Sequence, residues 1–221
     1  MLHYETIPVT PFQQNCSVVW EDQGMTAAII DPGGDLDMLQ SACIQLGVTL
    51  VQIWITHAHI DHAGGTAELA ERLGLPIIGP HPADQFWIDG LQEAAAGYGF
   101  PPSRAFKPTR WLSDGDTVSL GAHSLQVRHC PGHTPGHVVF YSPELNRAFV
   151  GDVLFAGSIG RTDFPQGNPT KICSTASPSV CGPWATTRCS SPVTALRALL
   201  AASGAATLMW AGLELKVCLL Q

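Results

Sequence analysis

Between residues 55 and 65 the chain reads ITHAHIDHAGG. His57, His59, Asp61 and His62 fall within six positions, after an apolar run and before a glycine pair. Imidazole nitrogens and carboxylate oxygens at about 2.0–2.2 Å are what zinc takes from a protein. Alternate residues of an extended segment share a face, so His57 and His59 can point the same way while Asp61 and His62 reach a second point nearby. Two ions about 3.5–4 Å apart share one water, lower its pKa and clamp an attacked carbonyl. The bland alternative is a surface loop of solvated histidines. Four ligand-type residues so closely spaced at a strand end make a far more specific pattern.

The cluster needs partners from elsewhere in the chain. His133, in RHCPGHTPGHVVF, sits in a Pro-Gly loop at a strand end and suits a third imidazole. Asp152, in FVGDVLF, ends another apolar run, where a carboxylate can bridge two ions. His3, His81, His123 and His129 lack a ligand-like context. His137 begins a strand and reads as a structural hydrogen-bonder. Asp31 in IIDPGG is either a turn residue or a partner that orients a ligand histidine, and the second role is favoured.

These residues must be held by regular elements. NCSVVW, MTAAIIDPGG and LVQIWIT are short β-branched runs that close on turn chemistry, as strands do. The segment DLDMLQSACIQL (35–46) has helical spacing and ends at Gly47, and TAELAERLG is a second helix ending at Gly74. PIIGP is a brief strand, and residues 84–108 are loop and helix. WLSDGDTVSL, HSLQVRHCPG, HVVFYSPELN and RAFVGDVLF form a later strand series with turns at SDGD and SPELN. Strands with interleaved helices, then more strands, predict two packed sheets with helices outside, an α/β layered fold.

The bulk properties bound the function. The 221 residues are 45% hydrophobic and 13% charged, which suits a globular protein with a real core. A net charge of −7 argues against nucleic acid or an anionic membrane surface as partner. No apolar run approaches the ~20 residues of a membrane span. The opening MLHYETIPVTPFQQN has no basic and apolar signal pattern, so a cytoplasmic location is expected. Cys16, Cys43 and Cys130 read as reduced, half-buried thiols.

The chain changes character near residue 170. Beyond residue 169 the only acidic residue is Glu214, no histidine follows His137, and four of the seven cysteines occur. The division is therefore a domain over 1–169 and an atypical tail over 170–221. Within the tail, VTALRALLAA (193–202) is the one comfortable helix.

THAHIDH, PGHTPGH and a GD after an apolar strand together resemble the metallo-β-lactamase fold superfamily. Within it, SIGRTDFPQG (158–167) is similar to the small glyoxalase II (hydroxyacylglutathione hydrolase)-like proteins. The resemblance covers residues 1–169. It implies a four-layer αββα sandwich with the metals at the edge where the sheets meet. It implies a first metal held by His57, His59 and His133, a second by Asp61 and His62, and Asp152 bridging. The metals would be zinc, with iron or manganese as alternatives. The activity implied is hydrolysis of a small-molecule thioester by a metal-bound hydroxide, which Asp61 helps to orient. Arg161 and Asp163 match the family's GRTDF segment, as substrate contact or as a structural ion pair.

Two departures stand out. Nothing matches the C-terminal helical domain of full-length glyoxalase II enzymes. The family's downstream Pro-Gly-His-Gly-Pro motif, a ligand of the second metal, is also missing, leaving the second site one arm short. The tail is read here as an altered reading frame. CSSPVTAL (189–196) can be encoded as TGT TCG TCC CCG GTC ACG GCC CTA, which from its third base gives Phe-Val-Pro-Gly-His-Gly-Pro. The opposing reading is a natural divergent end in which Glu214 or a tail cysteine supplies the ligand. Two other functions compete: a mononuclear iron persulfide dioxygenase, which shares the HxHxDH pattern, and an impaired metal-binding protein of the same fold.

Overall fold

The computed structural model describes residues 1–155, 158–167, 207–210 and 213–217, the last two stretches as backbone strands. Five strands form the first sheet in chain order: β1 (Leu2–Val9), β2 (Gln14–Glu21), β3 (Thr26–Ile30), β4 (Thr49–Trp54) and β5 (Ile77–Ile78). β1 to β3 pair antiparallel and β3 to β5 pair parallel. The helices are α1 (Leu36–Leu46), α2 (Ile60–Ala63), α3 (Thr66–Leu73), α4 (Gln85–Asp89) and α5 (Leu91–Tyr98). A meander of β6 (Thr117–Leu120), β7 (His123–His129), β8 (Val138–Ser142) and β9 (Arg147–Phe149) builds the second sheet. A short pair, β10 (Leu154–Phe155) with β11 (Ser158–Ile159), follows.

Period-two alternation explains why β2 to β4 carry apolar residues on both faces where they cross the core. Val18, Ile29 and Ile53 face the helices, where they meet Leu39 of α1, Leu69 of α3 and Leu91 of α5. Their neighbours Val19, Ile30 and Trp54 face the second sheet, meeting Val127, Phe140 and Phe149. Trp54 is fully buried and packs on Phe140 at 5.6 Å between centroids. Truncating such a residue to alanine costs about 3–5 kcal/mol. Three layers of the sandwich therefore lie within the described residues: helices, first sheet, second sheet. The helix expected at 193–202 lies outside them.

Both glycine-capped helices end where the sequence reading put them. Gly47 and Gly74 take φ of 70° and 65°, and their N–H groups close the last turns of α1 and α3. Other elements differ. β1 was not anticipated, because LHYETIPV leaves Glu5 and Pro8 exposed on opposite faces and so shows no clean apolar alternation. The strand expected over WLSDGDTVSL is confined to Thr117–Leu120, since the SDGD turn bonds Gly115 and Asp116 to other chain segments. FVGDVLF is broken: β9 stops at Phe149, and Gly151 at φ 47° turns the chain at Asp152. In the tail, β12 (Thr207–Trp210) and β13 (Leu213–Val217) form a hairpin, with β13 parallel to β9. The sequence reading expected no element there.

Candidate metal centre

The sequence-predicted residues gather at the carboxyl ends of four strands: Asp31 follows β3, His57 and His59 follow β4, His133 follows β7 and Asp152 follows β9. Asp61 and His62 ride on the single turn of α2. The two sheets meet there, so the loops converge. The ligand atoms of His57, His59, His133 and Asp152 all lie within 4.8 Å of one another. The Asp152 carboxylate straddles two neighbours. Its Oδ2 is 3.2 Å from His133 Nε2, and its Oδ1 is 3.1 Å from His62 Nε2. Asp61 Oδ2 lies 3.6 Å from the same His62 nitrogen.

Hydrogen bonds behind the histidines fix which nitrogen faces inward. The Thr56 hydroxyl donates to Asp31 Oδ2 at 2.6 Å. Its proton is thereby used, so His57 Nδ1, 3.0 Å away, is the donor to Thr56 Oγ1. His62 Nδ1 donates to Asp31 Oδ2 at 2.9 Å, and His133 Nδ1 donates to the Arg161 carbonyl at 2.8 Å. Asp31, at φ 55°, holds a conformation few side chains adopt, and its hydrogen bonds to Thr56 and His62 offset that cost. Asp31 thus orients two histidines. A further grouping of Asp31 with His57 and His62 is within ligand distance, but these hydrogen bonds account for it.

The donor set fits a cation. His57 and His59 each present a buried Nε2 with no hydrogen-bond partner, and the buried Nε2 of His62 faces the Asp152 and Asp61 carboxylates. His59 Nδ1 and His133 Nε2 face each other at 2.9 Å. Burial and neighbouring imidazoles depress His57 far below the usual histidine range, and burial holds His59 down to about 3. Burial opposes a charge on His62 too, yet Asp152 and Asp61 outweigh it and raise its pKa well above normal. A proton there neutralises carboxylates that a metal ion would otherwise balance. Asp152 resists burial and is held far below the usual carboxylate range by His62 and His133.

The remaining histidines are not among these donors, although His137 packs directly against them. His137 accepts the Asp152 backbone N–H at Nε2 (3.0 Å) and stacks on His57, the structural role expected. His81 and His129 stack on each other, His3 stacks on Trp20, and His123 bonds Glu144. The Arg161 side chain forms a two-pronged pair with Asp163, both bonds 2.9 Å, and lies over the Phe164 ring. Glu214 lies on β13, whose side chains are outside the described residues, as are Cys173, Cys181, Cys189 and Cys218.

Sequence reading missed Asp84. It is fully buried and accepts three hydrogen bonds: Ala58 N–H at 3.1 Å, Thr134 Oγ1 at 2.8 Å and Gly136 N–H at 2.6 Å. Burial raises its pKa to about 6 against the pull of these donors. An aspartate before a helix is an ordinary cap pattern, so nothing in its local sequence marks it. Its side chain does not cap α4.

Two cavities flank the centre. One, of about 510 Å³, opens beside Asp61 and His62 and reaches Gln14 and Phe149. The other, of about 340 Å³, lies against His59 and His133 and is walled by Phe12, Trp87, Tyr98 and Phe164, with Arg161 at its edge. Among the described residues no helix is long and apolar enough to cross a membrane.

Residues 9–195 match the sequence model of the metallo-beta-lactamase superfamily, a match that runs past residue 169 into the tail. A Haemophilus influenzae protein, hydroxyacylglutathione hydrolase GloC, is 44% identical over 168 residues, covering 76% of this chain and 79% of that one. Two solved structures superpose closely. BLEG-1 B3 metallo-beta-lactamase gives a TM-score of 0.71 at 32% identity, over 79% of this chain and 83% of that one. TTHA1623 in a di-iron-bound form gives 0.70 at 37% identity, over 77% and 83%.

Proposed function

From the premise that this chain belongs to the metallo-β-lactamase superfamily and is a metallo-hydrolase of it, we propose that it hydrolyses thioesters of the hydroxyacylglutathione type. The carrying observation is Asp152 with one oxygen toward His133 and the other toward His62, which joins two donor sets into one centre. In this reading His57, His59 and His133 hold a first ion, Asp61 and His62 hold a second, and Asp152 lies between. Zinc, iron and manganese all accept such nitrogen and oxygen donors, and the di-iron form of TTHA1623 favours testing iron beside zinc. When bound, the ions acidify a shared water and polarise the substrate carbonyl.

The protein's own groups do the rest. Asp31 and the Arg161 carbonyl take the outward Nδ1–H of His62 and His133 and so leave the opposite nitrogens aimed inward. Asp61, mostly buried with its pKa raised by burial, offers Oδ2 to orient and accept the proton of the attacking water. The aromatic cavity beside His59 receives one arm of the thioester and keeps bulk water from it.

The tail belongs to the same proposal. Without a downstream histidine the second ion is held more weakly than the first. A version carrying the alternate frame, with its Pro-Gly-His-Gly-Pro segment, binds that ion more tightly. Equal binding of two ions by both versions contradicts this account of the tail. The function itself is tested by thiol release from S-lactoylglutathione with zinc-, iron- or manganese-loaded protein. Thiol release above a metal-free control supports the reading. No release, with oxygen uptake by the iron-loaded chain on glutathione persulfide, overturns it in favour of a dioxygenase.

A further inference from the structure

We infer that Asp84 is a positioning residue for the metal centre, setting the separation between the loop that carries His57 and His59 and the loop that carries His133. One of its oxygens takes the backbone N–H of Ala58, the residue between His57 and His59, and the hydroxyl of Thr134, the residue after His133. The other takes the N–H of Gly136 in the same Pro-Gly loop. The two loops come from different sheets, β4 in the first and β7–β8 in the second. A single carboxylate therefore ties them together at the place where His59 and His133 must meet, 2.9 Å apart.

The chemistry of the group matters as much as its place. All three partners are donors, and an ionised carboxylate offers only acceptors. Asparagine would turn an N–H₂ toward at least one of them. The packing is equally specific: a Cβ on Gly136 would come within 2.7 Å of Asp84 Oδ1 and 2.6 Å of its backbone nitrogen. Asp84 also immediately precedes α4, whose Trp87 stands edge-to-face with His59 at 4.5 Å. The His81 N–H donates to the Gly136 carbonyl, a backbone tie between the same segments.

The inference rests on the ligand reading above, and its test separates the two. Zinc affinity is measured by chelator competition, and the visible spectrum of the cobalt-substituted protein reports ligand geometry. Melting of the metal-free chain reports the fold. Asp84→Asn is expected to weaken the tighter ion at least tenfold, the range for partners of ligands, and to shift the cobalt bands. Thr134→Val, which removes one of the three bonds, gives a smaller change in the same direction. Gly136→Ala, which displaces the carboxylate, behaves like Asp84→Asn. A lower metal-free melt with wild-type zinc affinity and cobalt bands in Asp84→Asn would make the residue merely structural and overturn the inference. Should that variant not fold, wild-type affinity and bands in Thr134→Val overturn it instead. His133→Ala is the control: if it keeps the tighter ion, the ligand reading fails, whatever Asp84 does.

Discussion

Asp31 accepts a hydrogen bond from His62 Nδ1 at 2.9 Å, and the same oxygen takes the Thr56 hydroxyl that in turn receives His57 Nδ1. One carboxylate at the end of β3 thus aims the inward nitrogens of two histidines that belong to different donor sets. Its other oxygen is equally constrained, because Thr56 N–H donates to Oδ1 at 2.7 Å.

Replacing Asp31 with alanine is therefore expected to weaken both ions, by about 10- to 100-fold, the usual cost of losing a partner behind a ligand. Asp31→Asn should be milder at His57 than at His62, since the amide can still accept from Thr56. Chelator competition against zinc checks this. Unchanged affinity in Asp31→Ala would remove Asp31 from the account.

Asp152→Ala should lower the metal content more than Asp61→Ala does. Asp152 touches both donor sets, whereas Asp61 reaches only His62. Metal analysis after dialysis distinguishes them: Asp61→Ala is expected to keep close to one tight ion per chain, and Asp152→Ala to weaken both.

The histidines make the metal-free protein sensitive to acid. Burial depresses His57 and His137 well below the usual range and His59 to about 3. Below about pH 6.5 the unfolded chain binds protons there that the folded chain refuses, so stability falls as the pH drops, by about 1.4 kcal/mol per pH unit for each such group. His62 runs the other way. Its raised pKa, set by Asp152 and Asp61 against burial, gives stability that is full below about pH 6.5 and lost as the pH climbs. Chelator-treated protein should melt lower at pH 5.5 than at pH 7. An equal or higher melt at pH 5.5 would contradict this balance.

Gly33 lies against the turn that carries Asp61: a Cβ there would sit 1.5 Å from the Asp61 carbonyl oxygen. Gly33→Ala must push α2 away or fail to fold. A drop in melting temperature with loss of the weaker ion is the expected result, and a wild-type melt would show the contact to be dispensable.

Much of this centre was legible in the sequence, for a local reason. HxHxDH places four donors on one loop, and strand ends at His133 and Asp152 can be recognised from the apolar runs before them. Asp31 was legible as an alternative because it closes the IIDPGG strand. Asp84 was not, since its three partners lie 26 to 52 residues away in two loops. β1 was hidden too, its half-exposed face diluting the apolar alternation. The hairpin of β12 and β13 escaped notice because its place depends on the open edge of β9 rather than on a pattern of its own.

The central claim is a two-ion centre that cleaves thioesters. Its most direct test is metal content per chain measured in the same samples as thiol release from S-lactoylglutathione, during stepwise removal of metal by a chelator. Release is expected to fall with loss of the weaker ion, while the ion at His57, His59 and His133 is still bound. Full thioesterase activity in protein stripped of both ions, or no thiol release from fully loaded protein, would contradict it.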